Sequence, residues 1–335
     1  MPLLLDRARR PLRDLRISVT DRCNFRCGYC MPAEQFGPDH VFLAKEDLLT
    51  FEEIERVARL AVSVGVTKLR LSGGEPLLRR GIEDLVAALA SIAGSPDLAL
   101  TTNGIMLAHK AEALALAGLR RVTVSLDALD PVVFGRMNGT GAEVSRVLAG
   151  IDAARVFGLP VKVNAVIRRG WNENQILPLT AWAYAKGVTL RFIEYMDVGE
   201  TNGWQRGEVV TAEEIRTMID REWPLVEHDG GREGATALRF HSADGRGEIG
   251  IVASVTRPFC GDCSRLRLSA EGKLYTCLFS GNGHDLRGML RGGVSDSLIL
   301  RALGGIWGGR DDRYSELRGA PGLEQHKAEM SYLGG

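Results

Sequence analysis

Between positions 15 and 196 the chain alternates two hydrophobic rhythms. In short runs every second residue is apolar, and in longer stretches apolar residues recur at three- and four-residue intervals. The first rhythm predicts strands at 15–20, 67–72, 97–102, 121–126, 160–166 and 188–194. The second predicts helices between them, at about 81–91, 107–117, 142–157 and 173–186. The earliest helix is announced by a capping box, Thr50-Phe51-Glu52-Glu53, ahead of Ile54, Val57, Ala58 and Ala61. Six β/α units in series predict a parallel sheet wound in one hand. Eight would close a TIM-like barrel, so six predict an α/β fold built on a partial (β/α)6 barrel, open on one side.

The polar halves of these strands change the picture. Leu15, Ile17 and Val19 share one face while Arg16, Ser18 and Thr20 share the other. Lys68, Arg70 and Ser72 alternate with Leu69 and Leu71, and Thr123, Ser125 and Asp127 with Val122, Val124 and Leu126. Thr101 pairs with Asn103 in the same way, and Lys162 with Asn164. If the apolar faces pack on helices, the polar faces line the interior, which a closed eight-stranded barrel fills with branched apolar side chains. A hydrophilic, cation-rich lumen suits an anionic ligand. A solvent-facing antiparallel sheet would alternate likewise, but helices between successive strands favour the parallel arrangement.

After Met196 the rhythm breaks. Positions 198–208 read as loop, Thr211-Ala212-Glu213-Glu214 opens a further capped helix, and beyond about 227 the chain turns glycine-rich and charged, with strands at 249–255 and 266–269. The predicted division is a barrel domain over 1–225 and a smaller C-terminal domain over 226–335. The 42 basic residues equal the 42 acidic ones, which argues against a broad nucleic-acid-binding surface. The opening Met1-Pro2-Leu3-Leu4-Leu5-Asp6-Arg7 has three consecutive leucines before charge returns, too few for a signal peptide or a membrane span. The expectation is a cytoplasmic protein with no nucleic-acid or membrane partner.

Cysteine usage carries the chemistry. All six fall into two triplets, Cys23/Cys27/Cys30 and Cys260/Cys263/Cys277. In a reducing compartment clustered thiols are more often metal ligands than disulfides. An iron-sulfur cube wants four thiolates, so one held by three keeps an iron free for something other than protein. The first triplet, Cys-x3-Cys-x2-Cys, follows the first strand directly, where barrel enzymes keep their chemistry, and its spacing departs from zinc usage. The second, Cys260-x2-Cys263-x13-Cys277, fits a second cluster, or a zinc site with His284 as fourth ligand. Arg265 and Arg267, spaced by two on one strand face, offer guanidinium forks suited to phosphates. Ser72-Gly73-Gly74-Glu75-Pro76 gives a turn whose backbone can approach a ligand closely.

With Tyr29 before its third cysteine, the first triplet resembles the cluster motif of the radical S-adenosylmethionine enzymes, and Gly73-Gly74-Glu75-Pro76 resembles their GGEP motif. Over roughly residues 10 to 335 the chain resembles the GTP 3',8-cyclase family of molybdenum cofactor biosynthesis, on both triplets, Arg265-Leu266-Arg267 and a terminal Gly334-Gly335. That resemblance implies two 4Fe-4S clusters, one on each triplet, with S-adenosylmethionine bound by Tyr29, Gly73, Gly74, Glu75, Ser125 and Met196. It implies GTP with its purine on the second cluster and its triphosphate among Arg16, Lys68, Arg70, Thr101, Lys162, Arg191, Arg265, Leu266 and Arg267. Arg16, Arg265, Arg267, Gly334 and Gly335 are its implied catalytic residues. The implied reaction removes the 3'-hydrogen of GTP with a 5'-deoxyadenosyl radical, joins C3' to C8 and gives 3',8-cyclo-7,8-dihydro-GTP. Implied partners are a flavodoxin- or ferredoxin-type electron donor and cyclic pyranopterin monophosphate synthase, which takes the product; a homodimer is one expected assembly. Two rivals are a peptide-modifying radical enzyme and a zinc-stapled binding module without catalysis.

Overall fold

The alternating runs form parallel strands β1 (Asp14–Ser18), β2 (Lys68–Ser72), β3 (Asp97–Thr102), β4 (Arg121–Ser125), β5 (Val161–Ile167) and β6 (Thr189–Glu194). The coordinates are a computed structural model that describes residues 3–228, 236–320 and 326–334. Each strand pairs in parallel with the next. Their apolar halves, among them Leu15, Ile17, Leu69, Leu71, Leu98, Leu100, Val122, Val124, Val163 and Phe192, are wholly buried. At about 1.5–3 kcal/mol for each such side chain, this one-sided packing fixes the register.

The covering helices are α1 (Phe51–Ser63), α2 (Ile82–Ala90), α3 (Leu107–Leu116), α4 (Pro131–Asn138), α5 (Val144–Val156), α6 (Ile176–Lys186) and α7 (Ala212–Glu222). Both capping boxes close as the sequence requires: Thr50 with Glu53 and Thr211 with Glu214 each exchange side-chain and backbone bonds. The apolar rhythm does not announce α4. Its ends do, because the Asp130 carboxylate accepts from the amides of Val132 and Val133, Pro131 opens the first turn, and Gly139 ends the helix at φ 66.

The residues after 225 do not build a sheet of their own. Strands β7 (Leu225–Glu227), β8 (Leu238–Ser242), β9 (Glu248–Val252), β10 (Arg265–Leu268), β11 (Lys273–Tyr275) and β12 (His284–Asp285) extend the six-stranded core at both margins. Among the described residues the order is β12-β11-β10-β1-β2-β3-β4-β5-β6-β9-β8-β7. β10 runs parallel to β1 and β9 parallel to β6, and the outer pairs are antiparallel, giving a mixed α/β sheet. Leu266 and Leu268 of β10 are fully buried, which turns Arg265 and Arg267 to the face that β1 gives to Arg16. Among the described residues, no helix is long and apolar enough to cross a membrane.

Candidate functional site

The inward residues of the parallel strands, from Asp14, Lys68 and Arg121 at their starts to Ser72, Thr102 and Ser125 at their carboxyl ends, line a cavity of about 550 Å³. All six cysteines line it, although the triplets lie far apart in the chain. The first triplet is shaped by glycine. Gly73, at φ 148, packs so closely on Thr20 that a Cβ would come within 2.5 Å of the Thr20 carbonyl, and Gly74 presses on the Arg22 carbonyl in the same way. The amides of Gly74 and Glu75 donate to the carbonyls of Thr20 and Arg22 at 2.7 and 2.8 Å. This lacing ties the glycine turn to the residues that lead into Cys23. Beyond it, Cys30 N–H and Met31 N–H both donate to the Cys27 carbonyl, while Arg26 Nη1 donates to the carbonyls of Cys23 and Phe25.

Burial, seconded by the Glu75 charge, pushes the Cys23 thiol up to about 11. Burial raises Cys27 and Cys30 as well. Three buried thiols that resist ionisation become good thiolate ligands only when a cationic centre stabilises their charge. A cationic centre is therefore what these three sulfurs need as ligands. Tyr29 donates its hydroxyl to Asp127 at 2.7 Å, and Asp127 also accepts the amide of Val166, so the Tyr29 ring is fixed beside the cysteines.

The second triplet enters from a short turn, Cys260–Asp262, followed by β10. Burial works against a Cys263 thiolate, yet Arg265, Arg310 and Arg267 together outweigh it and bring the thiol down to about 6. Burial leaves Cys277 high, at about 11. His284 sits exposed on β12 and is not among the residues lining the cavity, so the zinc alternative lacks its fourth ligand there. Among the described residues, no three His, Cys, Asp or Glu side chains converge as a single metal ion would require.

Between the triplets lies a wall of cations. Register places Arg16 directly between Arg70 on β2 and Arg267 on β10. Arg191 is level with Asn164, which is level with Ser125, and Lys162 is level with Thr123. The Nε atoms of Arg16, Arg70, Arg265 and Arg267, with Arg267 Nη1, are buried without a hydrogen-bond partner among the described residues. Burial, aided by neighbouring arginines, lowers the pKa of Arg16 and Arg267, and burial lowers that of Arg70. It brings Arg191 down to about 10 and Lys162 to about 8. Like charges side by side with unpaired donors are costly alone and well suited to a polyanion.

The cavity wall includes Arg16, Tyr29, Lys68, Arg70, Gly73, Gly74, Thr101, Ser125, Lys162, Arg191, Met196, Arg265 and Arg267. Three expected site residues lie off it. Leu266 is core. Glu75 is fully buried, its carboxylate accepting from Leu77 N–H, Thr102 Oγ1 and Asn103 N–H, so it braces the glycine turn. Gly334, at φ 72, abuts Ser72 and Gly73, where a Cβ would collide with Ser72 Oγ. Gly335 lies outside the described residues. Sequence reasoning did not single out Phe259, Arg239, Glu248 or Arg310, which join the wall. For Arg239 and Glu248 the pairing of β8 with β9 was the missing signal; Arg310 follows a distant helix and has none.

Two family models match in series, the radical SAM superfamily over residues 17–183 and Molybdenum Cofactor Synthesis C over residues 188–316. A GTP 3',8-cyclase of Acidothermus cellulolyticus is 51% identical over 97% of this chain and 97% of its own. The chain belongs to the GTP 3',8-cyclase family. Other members of the family are equally complete: that of Xanthomonas axonopodis pv. citri is 51% identical and that of Staphylococcus aureus strain MRSA252 is 44% identical, each over 98% of both chains. Among solved structures, Streptococcus suis SuiB bound to S-adenosylmethionine aligns at TM-score 0.62 and 15% identity, covering 92% of this chain and 71% of its own. Methylornithine synthase aligns at TM-score 0.50 and 16% identity, over 64% of this chain and 62% of its own. These two share the fold of this chain, and the radical SAM assignment rests on the family model over residues 17–183. Membership implies a 4Fe-4S cluster and S-adenosylmethionine, which the buried first triplet and the close glycine cradle fit.

Proposed function

We propose that this chain converts GTP to 3',8-cyclo-7,8-dihydro-GTP in molybdenum cofactor biosynthesis, inside a partial barrel that closes over both reactants. The observation that carries the proposal is the shared cavity: both cysteine triplets and the arginine row line one chamber. The barrel residues to 225 supply the S-adenosylmethionine side, and residues 226–335 supply a second 4Fe-4S cluster and half of the GTP site. Bound to the first triplet, the cluster and S-adenosylmethionine supply a 5'-deoxyadenosyl radical on one-electron reduction.

The chain's own work is positioning. Gly73 and Gly74 would hold the amino group of bound S-adenosylmethionine, and Tyr29, Ser125 and Met196 would line its pocket. Arg16, Arg70, Thr101, Lys162, Arg191, Arg265 and Arg267 grip the triphosphate, and Lys68 adds charge at the same wall. A radical takes the nearest hydrogen, so selectivity rests on fixing the ribose within reach of it. Gly334, against Ser72 and Gly73, brings the end of the chain to the site, and with Gly335 it takes part in turnover. A flavodoxin- or ferredoxin-type donor supplies electrons, and cyclic pyranopterin monophosphate synthase receives the product.

Anaerobically reconstituted protein should carry about eight iron atoms per chain. With reductant, S-adenosylmethionine and GTP, it should consume both and form the cyclised nucleotide. GTP recovered intact while S-adenosylmethionine is cleaved would reject the substrate assignment. Iron near four per chain would reject the second cluster.

A further inference from the structure

The segment before β1 has no task in this chemistry, yet it is built with care. Leu5 bridges Pro11, Asp6 N–H donates to the Arg10 carbonyl at 3.1 Å, and Arg9 takes the left-handed conformation at φ 61. The turn closes around the Asp6 carboxylate. Its Oδ1 accepts the amides of Ala8 and Arg10 at 3.0 and 2.8 Å. Its Oδ2 accepts Arg10 Nε at 2.6 Å and Arg310 Nη1 at 3.2 Å. The side chains of Asp6, Arg10 and Arg310 are 0%, 2% and 1% exposed. Two buried guanidinium groups share this carboxylate, and Arg310 pairs with Asp312 as well, a buried ionic cluster that is costly unless its hydrogen-bonding groups are satisfied.

Those donors converge on the second cysteine turn. Arg10 Nη1 donates to the Cys260 carbonyl and to the Asp312 carbonyl, both at 2.8 Å. Arg310 Nη1 donates to the Cys263 carbonyl at 2.7 Å, and its Nε to Asp312 Oδ2 at 3.2 Å. The Arg310 guanidinium lies 4.7 Å over the Trp307 ring, and the Trp307 indole N–H donates to the Arg10 carbonyl at 3.1 Å. Each end of the Cys260–Cys263 turn is thus gripped through its backbone by a different arginine, and a single carboxylate joins the two.

We propose that Asp6, Arg10 and Arg310 are positioning residues of the second cluster: they hold Cys260 and Cys263 in ligand geometry through their backbone and set two guanidinium groups behind them. The proposal rests on the second cluster described above. Groups that orient metal ligands change metal affinity by about 10- to 100-fold when removed. Nearby charge sets the potential of an iron-sulfur centre.

The test uses the full chain with Cys23, Cys27 and Cys30 all changed to Ser, so that iron reports on the second triplet alone. If this parent binds no iron, the second-cluster reading fails. If it binds about four iron atoms, then Arg10→Met and Asp6→Asn should each speed iron loss to a chelator by about tenfold or more. Arg10→Met should also lower the reduction potential and alter the electron paramagnetic resonance of the reduced cluster. The same substitutions with Cys260, Cys263 and Cys277 changed to Ser should leave iron loss from the first triplet unchanged. Equal loss from both triplets marks general destabilisation and overturns the proposal, as does an unchanged rate and spectrum at the second. Should Arg10→Met fail to fold, Asp6→Asn, which keeps both guanidinium groups, decides by the same comparison.

Discussion

Arg16 and Arg267 stand level with each other on the adjacent parallel strands β1 and β10, with Arg70 level with Arg16 on its other side. Three guanidinium groups in one row repel, and burial depresses all three pKa values. In the absence of ligand this row opposes folding. Replacing Arg267 with Met should therefore leave the melting temperature of the ligand-free protein unchanged or raise it, since apolar substitution of a buried charge is often neutral or stabilising. The same change should weaken GTP binding by about 10- to 100-fold, the loss expected of one charge-assisted contact. Thermal melts and GTP titration on one preparation check both halves.

Lys162 gives the row a pH dependence. Burial, then Arg191 and Arg121, hold its ammonium down at about 8. A polyanion favours the protonated form, so binding raises that pKa and affinity is fullest below 8. Affinity for GTP should fall as pH rises from 7 to 9, and Lys162→Met should bind weakly with a flatter profile. A wild-type affinity constant over that range would remove Lys162 from the triphosphate site.

Cys277→Ala divides the two triplets. S-adenosylmethionine cleavage should persist while GTP conversion is lost and iron per chain falls. Simultaneous measurement of 5'-deoxyadenosine and nucleotide product reads the division. Unchanged GTP turnover would deny the second triplet a role in substrate binding.

Gly334→Ala puts a Cβ where φ is 72 and Ser72 Oγ already stands. The left-handed conformation costs a non-glycine residue about 1–2 kcal/mol before the collision is counted. The tail should leave the glycine turn and product formation should fall at least tenfold, with little change in the global melt. Full activity in this variant would show that the tail end has no part in turnover.

Glu75→Gln probes the buried brace. Glutamine keeps the shape but has one accepting oxygen where the carboxylate has two, so either Asn103 N–H, or Leu77 N–H together with the Thr102 hydroxyl, loses its acceptor. A loss of about 1–3 kcal/mol in stability is expected, read as a lowered denaturation midpoint.

Much of this was legible in the sequence for identifiable reasons. Strand alternation turned Arg16, Arg70 and Lys162 inward because one apolar face admits one register. Capping boxes located the starts of α1 and α7 because their hydrogen bonds are local. What stayed hidden is long-range. No local pattern says that β10 pairs with β1 or β9 with β6, so the C-terminal part read as a separate cap where it extends the same sheet. Glu75 was expected at the ligand because its motif is, and only the three donors around it show that it faces the fold. Asp6 and Arg10 carried no local signal, since their partner Arg310 lies far along the chain.

The pairing of β10 with β1 also governs when the enzyme comes into being. Arg10 and Cys260 meet across 250 residues of sequence. A chain still emerging from the ribosome displays the first cysteine triplet long before β10, the strand that completes the arginine row, has been made. The cavity that both triplets line is therefore completed last.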